Sequence, residues 1–476
     1  MSEFSEKIRV VIKNSKLTMP YLSEMSGLSV PNLYKICQGK RLPKEKEKIF
    51  ALIKALQCPK SEELALIKSY QIELLGRDEY FCLEAIQELL PRIGRKSGVG
   101  MYYFGEAVQP DVDVISGKVD CSRYLQCALM EEVRKNENGI VKIIGGEESS
   151  YLLESIPVVF QNSRTVCEHI FRLDSRSLPE SDMKNVQLIS AILPTAFGGF
   201  KYQPYYYYEY GQVKDNKIQL FHSAVILPEQ VILLIDNYDK AVILKAPEQI
   251  QMMDAMFARL QEESISMISH LEGLESLQKL VSKMESENRK WTPYILVNNI
   301  GALTVLDEET LKRHIAEWTP ELENIIKIQA ERNRFYEKEP VVRFGTKSGL
   351  IEFAKTGKLE YVPEHLYTPL DRKERIWVLE RLRERWSRNK NFYFLNESKF
   401  NISDALIVEA YSDRDSIIGY FENQEEFSVY LLNEKGIASW IYQFLRYLEE
   451  SDLVLRPEET IDYVEEVLSQ LKNSNE

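Results

Sequence analysis

Gly27 constrains this chain more than any other residue. It stands between two helical patterns, Met19 to Ser26 and Val30 to Gln38, and only Gly27-Leu28-Ser29 is left to reverse the chain. A turn that short needs a left-handed backbone position at the end of the first helix, which glycine takes without steric cost. Ser29 then stands where a side-chain oxygen can cap the second helix, and Pro31 falls in a first turn whose N–H groups lack internal partners. At 3.6 residues per turn, Leu33, Ile36 and Cys37 face inward toward Leu22 and Leu28. Pro31, Asn32, Tyr34, Lys35 and Gln38 face outward. The exit, Gly39-Lys40-Arg41-Leu42-Pro43, is a C-cap glycine, two cations placed where a backbone phosphate would sit, and a helix-stopping proline.

Residues 3 to 14, 44 to 57 and 61 to 75 read as three further amphipathic helices. Extended to Tyr70, the pattern resembles the Xre/Cro family of phage-repressor-like DNA-binding domains. Ser23, Gly27, Leu33, Ile36, the Gly39 to Pro43 exit and the later IFALIKALQ carry the resemblance. It covers roughly the first 75 residues and implies an all-α, five-helix, lambda-repressor-like DNA-binding domain in a transcriptional regulator of double-stranded DNA. By position it implies base-edge contacts from Val30, Pro31 and Lys35, with Asn32 and Tyr34 beside them, and phosphate contacts from Lys40 and Arg41. The chain departs from the family where Met19 and Val30 replace frequent glutamines and Cys37 a common glutamate.

Charge agrees with a nucleic-acid-binding end. The first 60 residues hold 12 Lys and Arg against 5 Asp and Glu, whereas the remainder holds 48 against 68. A basic head on an acidic body presents one face to a duplex and turns the other away.

At 476 residues the chain exceeds a single core, so several domains are expected. Its six cysteines form no C-x-x-C pair, which fits reduced thiols in a cytoplasmic protein and neither a disulfide framework nor a zinc site. No apolar run reaches the length of a membrane span. The expected division is a helix-turn-helix domain over 1–75, a helix with linker over 76–100, an α/β effector or sensor domain over 101–270, and a second α/β domain over 271–476. Residues 77 to 93 form an amphipathic helix that could serve a homodimer or pack on its own body, and Arg95 to Gly100 reads as the linker.

Beyond Met101 helices and strands alternate. A helix over 120 to 136 precedes strand GIVKII; helix 149 to 162 precedes strand 165 to 173; helix 183 to 193 leads to FKYQPYYYYEYG. Strand runs 217 to 227, 230 to 236 and 240 to 245 and a helix from Glu248 to about Ser269 follow. Helix 370 to 388, strand NFYFL, strands ALIVEAY, SIIGYF and FSVYLL, and helix 434 to 449 repeat that ending, with NFYFL matched to GIVKII. The repetition suggests an internal duplication.

Two stretches could hold a ligand. Gly145, Gly146 and Ser149 lie in a turn from strand to helix, where free amides can bind an anion, although Glu147 and Glu148 oppose one and such turns often only connect. Tyr206 and Tyr208 would share one strand face with Tyr210, lining a groove or packing as an aromatic layer. The five histidines are scattered, and no H-E-x-x-H, G-x-S-x-G, P-loop or post-strand G-x-G-x-x-G occurs. The expectation is therefore a DNA-binding regulator without enzymatic activity, cofactor or metal, controlled by oligomeric state or by a small-molecule or peptide effector. The rival readings are an enzyme of unknown chemistry localised by its head, and an interaction module with a repurposed head.

Overall fold

The computed structural model describes residues 2–94, 113–146, 150–161, 163–175, 181–198, 200–209, 221–271, 293–315, 341–359, 367–404, 406–412, 415–422 and 426–473, with isolated positions between 320 and 333. The chain is multidomain, combining helical and α/β parts, and divides into two compact units, Met1–Glu84 and Ala85–Glu476. The linker expected over Arg95 to Gly100 lies outside the described residues.

The first unit is helical: α1 (Glu3–Ser15), α2 (Met19–Ser26), α3 (Val30–Cys37), α4 (Lys46–Ala55), α5 (Lys60–Leu75) and the start of α6 (Arg77–Leu89). Phe4, Ile8 and Ile12 recur every four residues on α1 and are buried with Leu22, Leu28, Leu33, Ile36, Ile49, Leu52, Leu66 and Tyr70. Each fully buried side chain of this size contributes roughly 1.5–3 kcal/mol relative to exposure, so this one core holds five short helices none of which would persist alone. Tyr70 sits at its centre, 5.3 Å from the Phe4 ring and edge-on to Phe50 at 6.3 Å. On α6, Leu83, Ile86 and Leu89 are buried within the single chain.

The second unit contains two mixed sheets. The first is built from β1 (Val114–Ser116), β2 (Ile140–Gly145), β3 (Val166–Asp174), β4 (Tyr202–Glu209), β5 (Ser223–Leu227), β6 (Gln230–Ile235), β7 (Lys240–Leu244) and β8 (Ile265–Ser266), in spatial order β1-β7-β6-β5-β2-β3-β4-β8. Helices α7 (Lys118–Lys135), α8 (Ser150–Val159) and α9 (Ser181–Ala196) connect its early strands, and α10 (Pro247–Glu263) follows β7. The second sheet, from β9 (Ile268–Leu271), β10 (Tyr294–Val297), β11 (Val342–Gly345), β12 (Phe392–Phe394), β13 (Leu406–Ser412), β14 (Asp415–Glu422) and β15 (Glu426–Leu432), has the order β9-β15-β14-β13-β10-β11-β12. With it come α11 (Glu308–His314), α12 (Lys347–Thr356), α13 (Arg372–Asn389), α14 (Lys435–Leu448) and α15 (Pro457–Asn473).

The sheets share a plan. In each, three strands run parallel, β2-β3-β4 and β10-β11-β12. An antiparallel meander joins the first of them, β5-β6-β7 on β2 and β13-β14-β15 on β10. The strand preceding each set closes the meander's outer edge, β1 on β7 and β9 on β15. At the other edge β8 lies antiparallel to β4, and a bridge pairs Leu395, next to β12, with Val454. One residue, Met267, separates β8 in the first sheet from β9 in the second.

NFYFL is not the counterpart of GIVKII. β12 occupies the place of β4, and the counterpart of β2 is β10, whose four residues YILV are all buried and carry no alternation to mark a strand. The helix expected to run to Ser269 ends at Glu263, because Ser264 turns extended and Ile265 begins pairing with β4.

Candidate nucleic-acid interface

Local chemistry explains how the exposed face of α3 is held. The Thr18 hydroxyl caps α2 by accepting from Tyr21 N at 3.4 Å. Gly27 ends the helix at φ 67°, ψ 14° and donates to Ser23 O. Ser26 Oγ, bonded to Leu22 O at 2.6 Å, accepts in turn from Leu28 N at 3.3 Å and fixes the turn. The expected Ser29 cap is absent: its side chain makes no capping bond. Pro31 occupies N2 and offers no N–H, which removes half of the partners that a cap can choose from.

The helix is amphipathic over two turns. Leu33, Ile36 and Cys37 are buried, while Pro31, Tyr34, Lys35 and Gln38 are exposed and Val30 and Asn32 half-buried. Burial pushes the Cys37 thiol up, so it packs as an inert apolar group. The helix closes with Gly39 N donating to Ile36 O and Lys40 N to Lys35 O, both at 2.9 Å. This pair of bonds, typical of a left-handed glycine cap, fixes the backbone of Lys40 beside the helix end. Arg41 Nη1 donates to Asn32 Oδ1 at 3.0 Å, and the loop beyond is anchored where Tyr70 Oη donates to Pro43 O at 2.8 Å. Of the sequence candidates, Pro31, Tyr34, Lys35, Lys40 and Arg41 are exposed and Val30 and Asn32 half-buried, and the Arg41–Asn32 bond joins the exit loop to α3. Neither the Arg41–Asn32 bond nor the Tyr70 anchor was legible in the sequence, since each joins residues in different elements.

The other candidates are placed differently. Gly145, the last residue of β2, and Gly146 both take positive φ, 67° and 88°, and Ser149 lies outside the described residues. The Gly145 carbonyl accepts from His169 Nε2 at 2.7 Å, and Tyr202 Oη donates to His169 Nδ1 at 2.8 Å. Because a carbonyl only accepts, the imidazole carries its proton on Nε2. Burial lowers the pKa of His169 to about 4, so it stays neutral in the core. Tyr206 is buried, with its ring 5.5 Å from that of Tyr208. Their hydroxyls point at the start of α14, Tyr206 bonding Asn433 O at 3.4 Å and Tyr208 the Glu434 carboxylate. Tyr205 and Tyr207 pack on the opposite face with Met253 and Phe257. Tyr210 is outside the described residues.

A polar cluster that sequence reasoning did not name lies beyond the carboxyl ends of β10, β11 and β12, where open parallel sheets commonly bind ligands. Asn298 Nδ2 donates to Asp404 Oδ1 at 2.8 Å, the Thr346 hydroxyl donates to Asn298 Oδ1, and Ser348 Oγ donates to Glu397 Oε1 at 2.9 Å. Thr346 Oγ1 also caps α12 by accepting from Gly349 N. These groups satisfy one another, and their separation by up to 106 residues left no motif to read.

No family model matches the chain, and no curated protein matches it. Among solved structures it is similar to the polyphosphate kinase from Porphyromonas gingivalis, at 10% identity and a TM-score of 0.23, over 76% of this chain and 55% of that one. The chain thus spans about half of that structure's length, and a likeness at this score transfers neither fold nor activity. Two expectations are corrected. Assignment of the first 75 residues to the Xre/Cro family is withdrawn, since no family model matches the chain. The expectation of a protein without enzymatic activity is withdrawn as well, since it rested only on catalytic motifs missing from the sequence, and side chains far apart in sequence can still converge on one site.

Among the described residues no helix is long and apolar enough to cross a membrane.

Proposed function

We propose that the N-terminal unit is a helix-turn-helix head that reads double-stranded DNA, with α3 entering the major groove, and that the protein regulates transcription. The observation that carries this reading is the surface of α3 and its exit. Tyr34 and Lys35 are exposed on a helix whose opposite side is buried, and Gln38, Lys40 and Arg41 are exposed at its exit, within the basic first 60 residues of an otherwise acidic chain. Cations bind phosphate through counterion release, and residues of the first helical turns reach base edges.

The finer architecture belongs to the same reading: a five-helix DNA-binding domain, then a body formed by duplication of one α/β unit. The shared strand plan of the two sheets supports duplication. An operator with two half-sites would call for a homodimer, and its interface would lie elsewhere than the apolar side of α6, which is already buried. A small-molecule or peptide effector of the body would act by differential affinity for two arrangements of the heads.

The test is fluorescence anisotropy of the full-length protein on duplex DNA from upstream of its own gene and on a scrambled duplex, each at two salt concentrations. Tighter binding to the upstream duplex, weakening steeply with salt, is expected. Lys35→Ala should relax base preference, whereas Lys40→Ala should weaken all duplexes alike and reduce the salt slope by about 1. Equal, salt-insensitive binding of both duplexes by wild type would defeat the reading.

A further inference from the structure

Two arginines rest on one turn of the second unit. After β10 the chain makes a short 3-10 turn, Ala302–Thr304, led by Gly301 at φ 71°. Arg385, on α13, donates from Nη1 to Thr304 Oγ1 and from Nη2 to Thr304 O, both at 3.2 Å. Both acceptors are neutral oxygens, so these bonds aim the guanidinium without cancelling its charge. Arg343, on β11, lays its guanidinium against Gly301. A Cβ there would stand 2.6 Å from Arg343 Nη1 and 2.9 Å from Cζ, so the close approach needs glycine.

Both side chains line a single cleft that encloses about 390 Å3, its open mouth included. Ile300, Val341 and Trp386 give it an apolar wall, and the Trp386 ring is fixed by stacking on Phe392 at 3.7 Å. Among the described residues that line it, the ionisable ones are both arginines. A cleft with one sign of charge and a low-dielectric wall focuses the field and draws an anion. Arg343 is also costly to keep in place, being half-buried in a strand whose three other residues are buried. An anion held there would offset that cost.

The pair of guanidiniums selects the kind of anion. A carboxylate has two oxygens and is filled by one planar fork, whereas a phosphate group carries close to two charges and enough oxygens for both arginines. We propose that Arg343 and Arg385 form a binding site for the phosphate group of a small molecule. The site lies wholly within the second unit, and it stands or falls independently of what the head binds.

Full-length protein is titrated by isothermal calorimetry with inorganic phosphate, with glycerol 3-phosphate and with acetate, at one ionic strength in chloride. Saturable binding of a phosphate probe is expected, with acetate weaker by roughly tenfold or more because it fills one fork only. The tighter of the two phosphate probes tells whether the ligand is the free ion or an ester. Arg343→Gln and Arg385→Gln should each weaken the phosphate probe by roughly tenfold or more. Lys373→Gln removes the same charge from the exposed first turn of α13, about 18 Å along the helix from Arg385, and should leave binding nearly unchanged. Absence of phosphate binding, acetate bound as tightly, wild-type affinity in either arginine variant, or an equal loss in all three variants overturns the proposal. Where circular dichroism shows that the arginine variants have lost their fold, labelling of wild type with phenylglyoxal decides. Phosphate should slow modification of Arg343 and Arg385, located by peptide mass spectrometry, but not of the exposed Arg388. Modification that phosphate leaves unchanged overturns the proposal.

Discussion

The Tyr70 hydroxyl donates to the Pro43 carbonyl at 2.8 Å, across 27 residues, and ties α5 to the loop that leaves α3. Tyr70 is fully buried, so the carbonyl has no water to turn to if the hydroxyl is removed. Tyr70→Phe should lower the stability of the first unit by about 1–3 kcal/mol in urea denaturation. It should also weaken DNA binding more than a change of equal cost in the core of α1, because the loop carrying Arg41 loses its anchor.

Burial raises the pKa of Tyr70 to about 12. Its neutral form is therefore favoured in the fold. That contribution is complete below about pH 10, the unfolded value, and is lost as pH rises toward 12. Wild type should lose stability through this alkaline window, and Tyr70→Phe should lose less. A parallel decline in both proteins would assign the loss to other groups.

His169 gives the opposite dependence. Its pKa is lowered by burial to about 4, so the neutral ring stabilises the fold fully above pH 6.5, and the contribution disappears as pH falls toward 4. The effect amounts to at most about 3 kcal/mol, because each tenfold change in proton affinity is worth roughly 1.4 kcal/mol. His169→Asn should be less stable than wild type at pH 7, having lost the bond to Gly145 O, yet respond less to acid between pH 6.5 and 4. Denaturation midpoints at several pH values decide this.

Glu434, 2% exposed, accepts from Gly436 N at 2.8 Å and Ile437 N at 2.6 Å as well as from the Tyr208 hydroxyl. Tyr208→Phe removes a donor from a buried carboxylate and should cost about 1–3 kcal/mol. In a double-mutant cycle, Tyr208→Phe and Glu434→Gln should be non-additive by at least about 0.5 kcal/mol. Simple additivity would show that the hydroxyl is not coupled to the carboxylate.

A Cβ at Gly349 would overlap the Asn298 carbonyl oxygen, and only backbone movement could relieve the clash. Gly349→Ala should destabilise the second unit by the upper part of the range of about 1–3 kcal/mol typical of overpacking, or more. Thermal denaturation followed by near-ultraviolet circular dichroism would read it.

What the sequence revealed follows the range over which each signal acts. The first five helices were legible because their apolar spacing and the turn at Gly27 are local. So were the meanders, whose β-branched runs are broken by polar turns. β10 and β11 were not, because YILV and VRFG are four-residue runs without periodicity, and without them the plan of the second sheet could not be drawn. The tyrosines were read as two faces of one strand, and that is how β4 presents them. What Tyr208 touches, however, lies 226 residues away and left no local trace. Ser29 shows the converse: a residue of the right type makes no capping bond, in a turn where Pro31 leaves only the Asn32 N–H for it to cap.

Met267 alone carries the chain from one sheet to the other. The strands on either side of it are each hydrogen-bonded into a different sheet, two residues of β8 into the first and four of β9 into the second. Asn433 N donates to Met267 O at 2.9 Å, and the hydroxyls of Tyr206 and Tyr208 on β4 bond Asn433 O and the Glu434 carboxylate at the start of α14, so the joint is held by bonds on both of its sides. The two sheets are thus sewn along a common seam rather than tethered, and under mechanical load or limited proteolysis the second unit should yield as one piece.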